Sequence, residues 1–324
     1  MALEHPPENV KYDEEFFTNS QGSKLFTCKW IPIKDEPKAL IFIFHGYAME
    51  CSITMSSTAI RLVKEGYAVY GMDYQGHGKS SGLDGYVENF DDIVNDCNDH
   101  FSKICEKEEN KRKKRYLLGE SMGGAVILLL HRKKPEYWDG AVLVAPMCKI
   151  ADDMKPPAAI TTLLQGLSWV IPTWKSFNIT KDIIEIGFKE PRVREEIRKS
   201  EYCYKGPPRM RTACELLRVS YDIEQRLNEV TLPFIVLHGE DDKVTDQQVS
   251  IELFKVASST DKTIKLYPGM WHALLCGEPL ENTEIVFADI IRWLEERTKL
   301  GNPRAETLNK VQADNLPLNR NNKL

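Results

Sequence analysis

Arg115-Tyr-Leu-Leu-Gly-Glu-Ser-Met-Gly-Gly124 sets a short apolar run, Tyr116 to Leu118, directly against a Gly-x-Ser-x-Gly pentapeptide, Gly119 to Gly123. Ala125 to Leu130 then continues as an apolar helix. Buried strand, sharp turn and helix therefore meet at Ser121. A turn this tight puts the serine in a strained backbone conformation and needs neighbours without bulk, which Gly119 and Gly123 supply. The helix beginning at Ser121 points its unpaired N–H groups at the reacting oxygen. A hydroxyl is a useful nucleophile only when it is exposed, held beside a base and aimed at a carbonyl. The pentapeptide alone occurs in many turns. Its place between a strand pattern and a helix pattern makes Ser121 a candidate nucleophile and the N–H of Met122 a candidate oxyanion donor.

Working outward, Lys38 to Phe44 is continuously apolar, as a strand buried on both faces of a parallel sheet is. It ends in His45-Gly46-Tyr47-Ala48, a turn that can bring the N–H of Tyr47 to the serine as a second oxyanion donor. Tyr67 to Met72 and Gly140 to Pro146 read as further buried strands, Leu232 to Leu237 as the strand that resumes the sheet and Lys262 to Tyr267 as the last strand. Helical patterns alternate with them: one capped by Ser52 and running to about 65, then about 89–107, 246–257 and 282–299. The last presents Ile285, Phe287, Ile290, Ile291 and Leu294 as its packing face. Ahead of all this, residues 1–14 read as a loose arm, and 16–18 with 24–31 as an antiparallel pair. The fold class predicted is α/β, with a mostly parallel central sheet and helices on both faces.

The rhythm stops between Met147 and Asn228. Helix-like segments there are broken by Lys155-Pro-Pro157, Pro172, Pro191 and Gly206-Pro-Pro208. An insertion at this point reads as a helical cap after the sixth strand, over the strand ends where open α/β sheets bind ligands. The expected division is a core of 1–146 and 229–300, a cap of 147–228 and a polar, disordered tail of 301–324. Ala158, Ile160, Leu163, Leu164, Leu167, Trp169, Val170, Ile171 and Trp174 form an apolar surface on the cap. It has three readings: packing on the core, lining an acyl or aromatic pocket, or resting on a membrane.

Beyond the cap, His238-Gly-Glu-Asp-Asp-Lys-Val244 follows a strand and offers a carboxylate to orient a histidine. Asp242 is the choice and Asp241 the fallback. Pro268-Gly-Met-Trp-His272 then places His272 on a loop after the last strand, where the serine needs its base. His77 lies between two turn glycines and reads as structural.

Composition narrows the partners. With 43 basic and 48 acidic residues and a net charge of -5, the chain does not have the balance of a nucleic-acid binder. Eight cysteines without a Cys-x-x-Cys pair point to neither zinc nor a redox motif, and suit a cytoplasmic protein with reduced thiols. The basic run Lys111 to Arg115 reads as a solvated loop. The N-terminal residues carry no secretory signal pattern, and the apolar stretch 158–171 is too short and polar to cross a bilayer.

Several of these segments together resemble the monoacylglycerol lipase family of α/β-hydrolases: His45-Gly46, Asp73 to Ser80, Gly119-Glu-Ser-Met-Gly-Gly124, Ala145-Pro146 and Asp261-Lys-Thr-Ile-Lys-Leu-Tyr-Pro-Gly-Met-Trp-His272. The likeness covers roughly residues 12–298. Asp153-Met-Lys-Pro156 and Lys205-Gly-Pro-Pro-Arg209 bring it nearest the plant-type branch of monoacylglycerol lipases, lysophospholipases and caffeoylshikimate esterases. The resemblance implies Ser121 as nucleophile, Asp242 and His272 as its partners, and the N–H groups of Tyr47 and Met122 as the oxyanion hole. It implies hydrolysis of a small-molecule acyl ester of the monoacylglycerol or lysophospholipid type, through an acyl-enzyme and with no metal or organic cofactor. One departure is Tyr47-Ala48-Met49-Glu50, with Ala48 where the family commonly has glycine. Esterase action on phenolic esters, acyl transfer (here His45 is followed five positions on by Glu50, not by aspartate) and a non-catalytic receptor are the alternatives. Peripheral membrane contact through the cap and the oligomeric state are left open.

Overall fold

The computed structural model describes residues 7–148, 166, 168–175, 182–302 and 304–306. At its centre is β3 (Ala39–Phe44), in which every residue is buried. Alternation divides that strand between two cores: Leu40, Phe42 and Phe44 face one, Ile41 and Ile43 the other. Around it stand β1 (Val10–Thr18), β2 (Lys24–Pro32), β4 (Ala68–Met72), β5 (Lys114–Glu120), β6 (Gly140–Val144), β7 (Phe234–Gly239) and β8 (Lys262–Tyr267). Their order is β1-β2-β4-β3-β5-β6-β7-β8. The β1–β2 and β2–β4 pairs are antiparallel, and the pairs from β4–β3 to β7–β8 are parallel.

Helices cover both faces of the sheet, as continuously apolar parallel strands require. α1 (Ser56–Lys64) and the long C-terminal helix (Leu280–Lys299) pack Ile60, Leu62, Phe287, Ile290 and Leu294 into one core. α2 (Phe90–Cys105) and α3 (Met122–Lys133) put Phe101, Val126 and Leu130 into the other. Between β6 and β7 lie α4 (Ile183–Gly187), α5 (Pro191–Lys199) and α6 (Met210–Glu224), with no strand among the described residues. α6 buries Val219 and Ile223 in the same core as α3. The series ends with α7 (Gln247–Val256) and α8, the C-terminal helix.

Three local expectations are corrected. β1 begins at Val10, so residues 10–14 are not loose: they pair with β2 as far as Val10 with Pro32, and Tyr12 packs on Trp30 with centroids 5.1 Å apart. Ser52 does not cap α1. Its hydroxyl donates to Glu50 at 2.8 Å, and the helix starts three residues after Ile53 with Met55 at the cap. In α8, Ile285 is exposed while Val286 and Trp293 are buried, because at 3.6 residues per turn they share the face of Phe287, Ile290 and Leu294 and Ile285 lies opposite it.

Trp169, Val170 and Trp174 are exposed at 77%, 78% and 64%, so packing on the core does not account for them. Ala158, Ile160, Leu163, Leu164 and Leu167 lie outside the described residues, as do Asp153 to Pro156, residues 1–6 and residues 307–324. The described start of the expected tail is tied down: Arg304 pairs with Asp139 at 3.0 Å. Among the described residues no helix is long and apolar enough to cross a membrane.

Candidate active site

Ser121 occupies the turn between β5 and α3 with φ 56 and ψ −119, a conformation that costs a non-glycine residue about 1–3 kcal/mol. Surrounding bonds hold it there. Its N–H donates to Val144 O at 2.9 Å, and its carbonyl accepts from Gly124 N at 3.0 Å and Met147 N at 2.9 Å. The flanking glycines are needed for close approach. A Cβ on Gly123 would stand 2.1 Å from Phe44 O, and one on Gly119 2.7 Å from Gly123 C. The start of α3 is thereby pressed against the end of β3, the strand that leads into the His45–Ala48 turn.

That turn lies over the serine: a Cβ on Gly46 would be 3.4 Å from Ser121 Cβ and 4.0 Å from its Oγ. Met49 N donates to Gly46 O at 3.2 Å, and Ala48 takes a left-handed φ of 66 where the family commonly has glycine. Two outside contacts hold the loop. Tyr204 N donates to Ala48 O at 2.9 Å, and Tyr47 Oη donates to Gly85 O at 2.9 Å. Tyr47, the first residue after Gly46, sits on this loop, and Met122 is the first residue of α3, where an N–H has no carbonyl within its own helix.

His45 and Glu50 are both consumed in holding the loop. Tyr74 N donates to His45 Nε2 at 3.2 Å while His45 Nδ1 meets Gly46 O at 2.8 Å. Burial, then the charge of His77, keeps His45 well below the ordinary imidazole value. Glu50 accepts from Ile53 N at 2.9 Å, Thr54 N at 2.7 Å and the Ser52 hydroxyl. A spacing that suggests an acyl-transfer pair is thus used to build the turn. His77 is buried too, with Nδ1 3.3 Å from Gln75 O.

Strands β5, β7 and β8 run parallel, so the residues that follow them emerge at one edge of the sheet. Ser121 follows β5, Asp242 follows β7 and His272 follows β8. His272 Nδ1 donates to Asp242 Oδ2 at 2.7 Å. Asp242 is locked by its own turn: Oδ1 accepts from Val244 N at 2.7 Å and Thr245 N at 3.2 Å, and Oδ2 from Thr245 Oγ1 at 2.8 Å. Thr245 Oγ1 also lies 3.2 Å from Ala145 O, which ties this turn to the end of β6 beside the serine. Asp241, the fallback, is exposed, with its N–H on Met270 O at 3.0 Å.

The electrostatics favour an ionised acid and a basic imidazole. Burial alone would raise the Asp242 carboxyl, but the neighbouring His272 and His238 outweigh it and hold it far below the usual range. Burial alone would lower His272, but Asp242 and then Glu120 outweigh that and raise it.

Two neighbours escaped the sequence reading. Glu120, the residue before the serine, is pushed up to about 7 by burial, and its Oε1 has no hydrogen-bond partner. His238 Nε2 lies 3.0 Å from Asp242 Oδ2. The first stands at a variable position of the pentapeptide and the second at the end of a strand, so only their neighbours give them away.

A family model described as serine aminopeptidase, S33 matches residues 35–279. The chain belongs to this α/β-hydrolase family. It is 34% identical over 293 residues to a caffeoylshikimate esterase of Arabidopsis thaliana, covering 90% of this chain and 88% of that one. Over 300 residues it is 30% identical to the monoglyceride lipase of Homo sapiens, covering 90% and 94%. In fold it is similar to a soluble variant of monoglyceride lipase from Saccharomyces cerevisiae, with a TM-score of 0.77 at 19% identity over 88% of this chain and 96% of that one. The eight-stranded, mostly parallel sheet is the α/β-hydrolase sheet that the resemblance implied.

Proposed function

We propose that this chain hydrolyses carboxylic esters through an acyl-enzyme on Ser121. The observation that carries the reading is the 2.7 Å bond between His272 Nδ1 and Asp242 Oδ2 at the sheet edge where the strained serine emerges. His272 takes the Ser121 proton as the hydroxyl attacks the ester carbonyl, and Asp242 steadies the imidazolium that forms. The N–H groups of Tyr47 and Met122 receive the oxyanion. The alcohol leaves with the proton from His272. Water, deprotonated by the same imidazole, then releases the acid and frees Ser121. The residues 147–228 act as a cap that governs entry.

The substrate class we favour is a monoacylglycerol or lysophospholipid, by likeness to the monoglyceride lipases. A phenolic ester is the second reading, and one feature favours it. A cleft of about 350 Å3 beside the oxyanion loop is lined by Tyr47, Met49, Ile184 and Tyr204 together with Asp182 and Lys205, a volume within the ordinary range for ligand sites. Turnover of purified protein on a monoacylglycerol, a lysophospholipid and a hydroxycinnamoyl ester decides between them. Ser121→Ala should lower kcat by about 10^4-fold or more on the accepted substrate. An unchanged rate in that variant would remove the nucleophile and with it this mechanism.

Exposed Trp169, Val170 and Trp174 also support peripheral contact of the cap with a lipid surface. Sedimentation with phosphatidylcholine vesicles, compared with Trp169→Ser/Trp174→Ser, tests it. Eight unpaired cysteines support a cytoplasmic location.

A further inference from the structure

Asp242 is gripped from two sides by imidazoles. Its Oδ2 meets His272 Nδ1 at 2.7 Å on the side of the β8 loop and His238 Nε2 at 3.0 Å on the side of β7. The His238 side chain is 0% exposed. Its other nitrogen, Nδ1, lies 2.8 Å from Ser250 Oγ on α7. The segments that carry the two histidines are packed closely: a Cβ on Gly239 would stand 2.3 Å from Trp271 O, so the loop bearing His272 rests directly on the strand end bearing His238.

Chemistry assigns the proton. A neutral imidazole has one donor and one acceptor nitrogen, and an ionised carboxylate only accepts. Facing Asp242, Nε2 must therefore carry the hydrogen, which leaves Nδ1 to accept from the Ser250 hydroxyl. The chain of donors runs Ser250 Oγ–H to His238 and His238 Nε2–H to Asp242, with His272 on the same oxygen; Thr245 Oγ1, 2.8 Å from that oxygen, also lies 3.5 Å from His238 Nε2.

We propose that His238 is a positioning residue for hydrolysis: its Nε2–H, with the tautomer set by Ser250, holds Asp242 Oδ2 in line with His272 and draws charge from that oxygen. The inference rests on the triad reading above. Its consequence is a trade of geometry against basicity. The His238 bond orients the acid, and at the same time reduces how strongly Asp242, through His272 Nδ1–H, stabilises the imidazolium, so the ring gives its Nε2 proton to the leaving alcohol more readily. Besides the cluster's own titratable groups, Asp242, His272 and His238, Glu120 from the end of β5 acts on it.

The test has one arm on the unaltered protein. Nitrogen-15 NMR of histidine-labelled protein near neutral pH should show His238 as the Nε2–H tautomer, with its proton and that of His272 Nδ1 both shifted downfield by hydrogen bonding. An Nδ1–H tautomer at His238 would overturn the proposal whether or not the protein hydrolyses esters. In the kinetic arm, His238→Ala should cost about 10–100-fold in kcat with KM little changed, the range found when a residue that orients a catalytic group is lost. The acid limb of kcat/KM should move to higher pH, because Asp242 without this donor holds the His272 proton more strongly. His238→Gln, whose amide N–H can reach the same oxygen, should keep the wild-type limb. Equal kcat losses in both variants with an unmoved limb would reduce His238 to packing. Should Ser121→Ala remain active, the triad reading fails, while the tautomer result still stands or falls by itself.

Discussion

The carboxyl of Glu120 lies one residue before the strained serine and acts electrostatically on His272. Its negative charge favours the imidazolium, so removing it should lower the His272 value toward the ordinary one. The proposed hydrolysis needs neutral His272. Glu120→Gln is therefore expected to extend activity to lower pH, and a kcat/KM profile whose acid limb stays in place would rule this influence out. Because Glu120 itself sits at about 7, the two groups titrate as a pair and the profile reports the pair. The residue scale is also where reading the sequence reached furthest and then stopped. Ser121, Asp242 and His272 are recognisable from what precedes each of them, a strand end. Glu120 and His238 matter because of side chains more than a hundred residues away or across a turn, and no local pattern marks that.

At the scale of elements, the site depends on how closely α3 approaches β3. Gly123→Ala would drive a methyl to 2.1 Å from Phe44 O, which must move the helix start, the oxyanion loop or both. The expected loss is about 3 kcal/mol or more, together with activity, since backbone cannot yield as a side chain can. Ala48→Gly is the contrasting case. It relieves about 1–2 kcal/mol of left-handed strain and gives back about 0.5–1 kcal/mol in unfolded-chain entropy, so stability should hold or rise slightly. Urea denaturation of the two variants checks both; a Gly123→Ala protein as stable as wild type would contradict this view of the elbow. Strands β3 to β7 were legible because burial on both faces leaves a largely apolar run, and β8 because Ile264, Leu266 and Tyr267 still mark it. Only the end of β1, residues 16–18, was legible, since the earlier part of this edge strand, with one solvated face, carries Lys11, Asp13, Glu14 and Glu15 among few apolar residues. The start of α1 was missed for another reason: Ser52 had the right side chain for a cap but had already spent it on Glu50.

For the whole molecule, buried titratable groups set a stability maximum. Burial keeps His45, His77 and His100 neutral, with His77 and His100 lowered from 6.5 to about 4. The unfolded chain takes up those protons first, so stability is lost as pH falls from 6.5 toward 4. Asp73 and Glu120 act in the opposite sense. Burial raises them from 3.8 to about 8 and from 4.5 to about 7, so the stability they contribute at low pH is lost as pH rises through those values. Tm should therefore be highest near pH 6.5 and lower both near 4 and above 8; a steady rise to pH 8 would contradict the balance. The insertion between β6 and β7 showed in the sequence as an interruption of the strand rhythm, but the packing of α6 on α3 did not, because it joins segments far apart in the chain. The same long-range closure underlies the proposed active site, which would join positions 121, 242 and 272. Its most direct test is covalent labelling with a fluorophosphonate, followed by peptide mass spectrometry. The label should appear on Ser121 in the native protein and be lost in His272→Ala; a folded protein that stays unlabelled, or is labelled at another residue, would contradict the account.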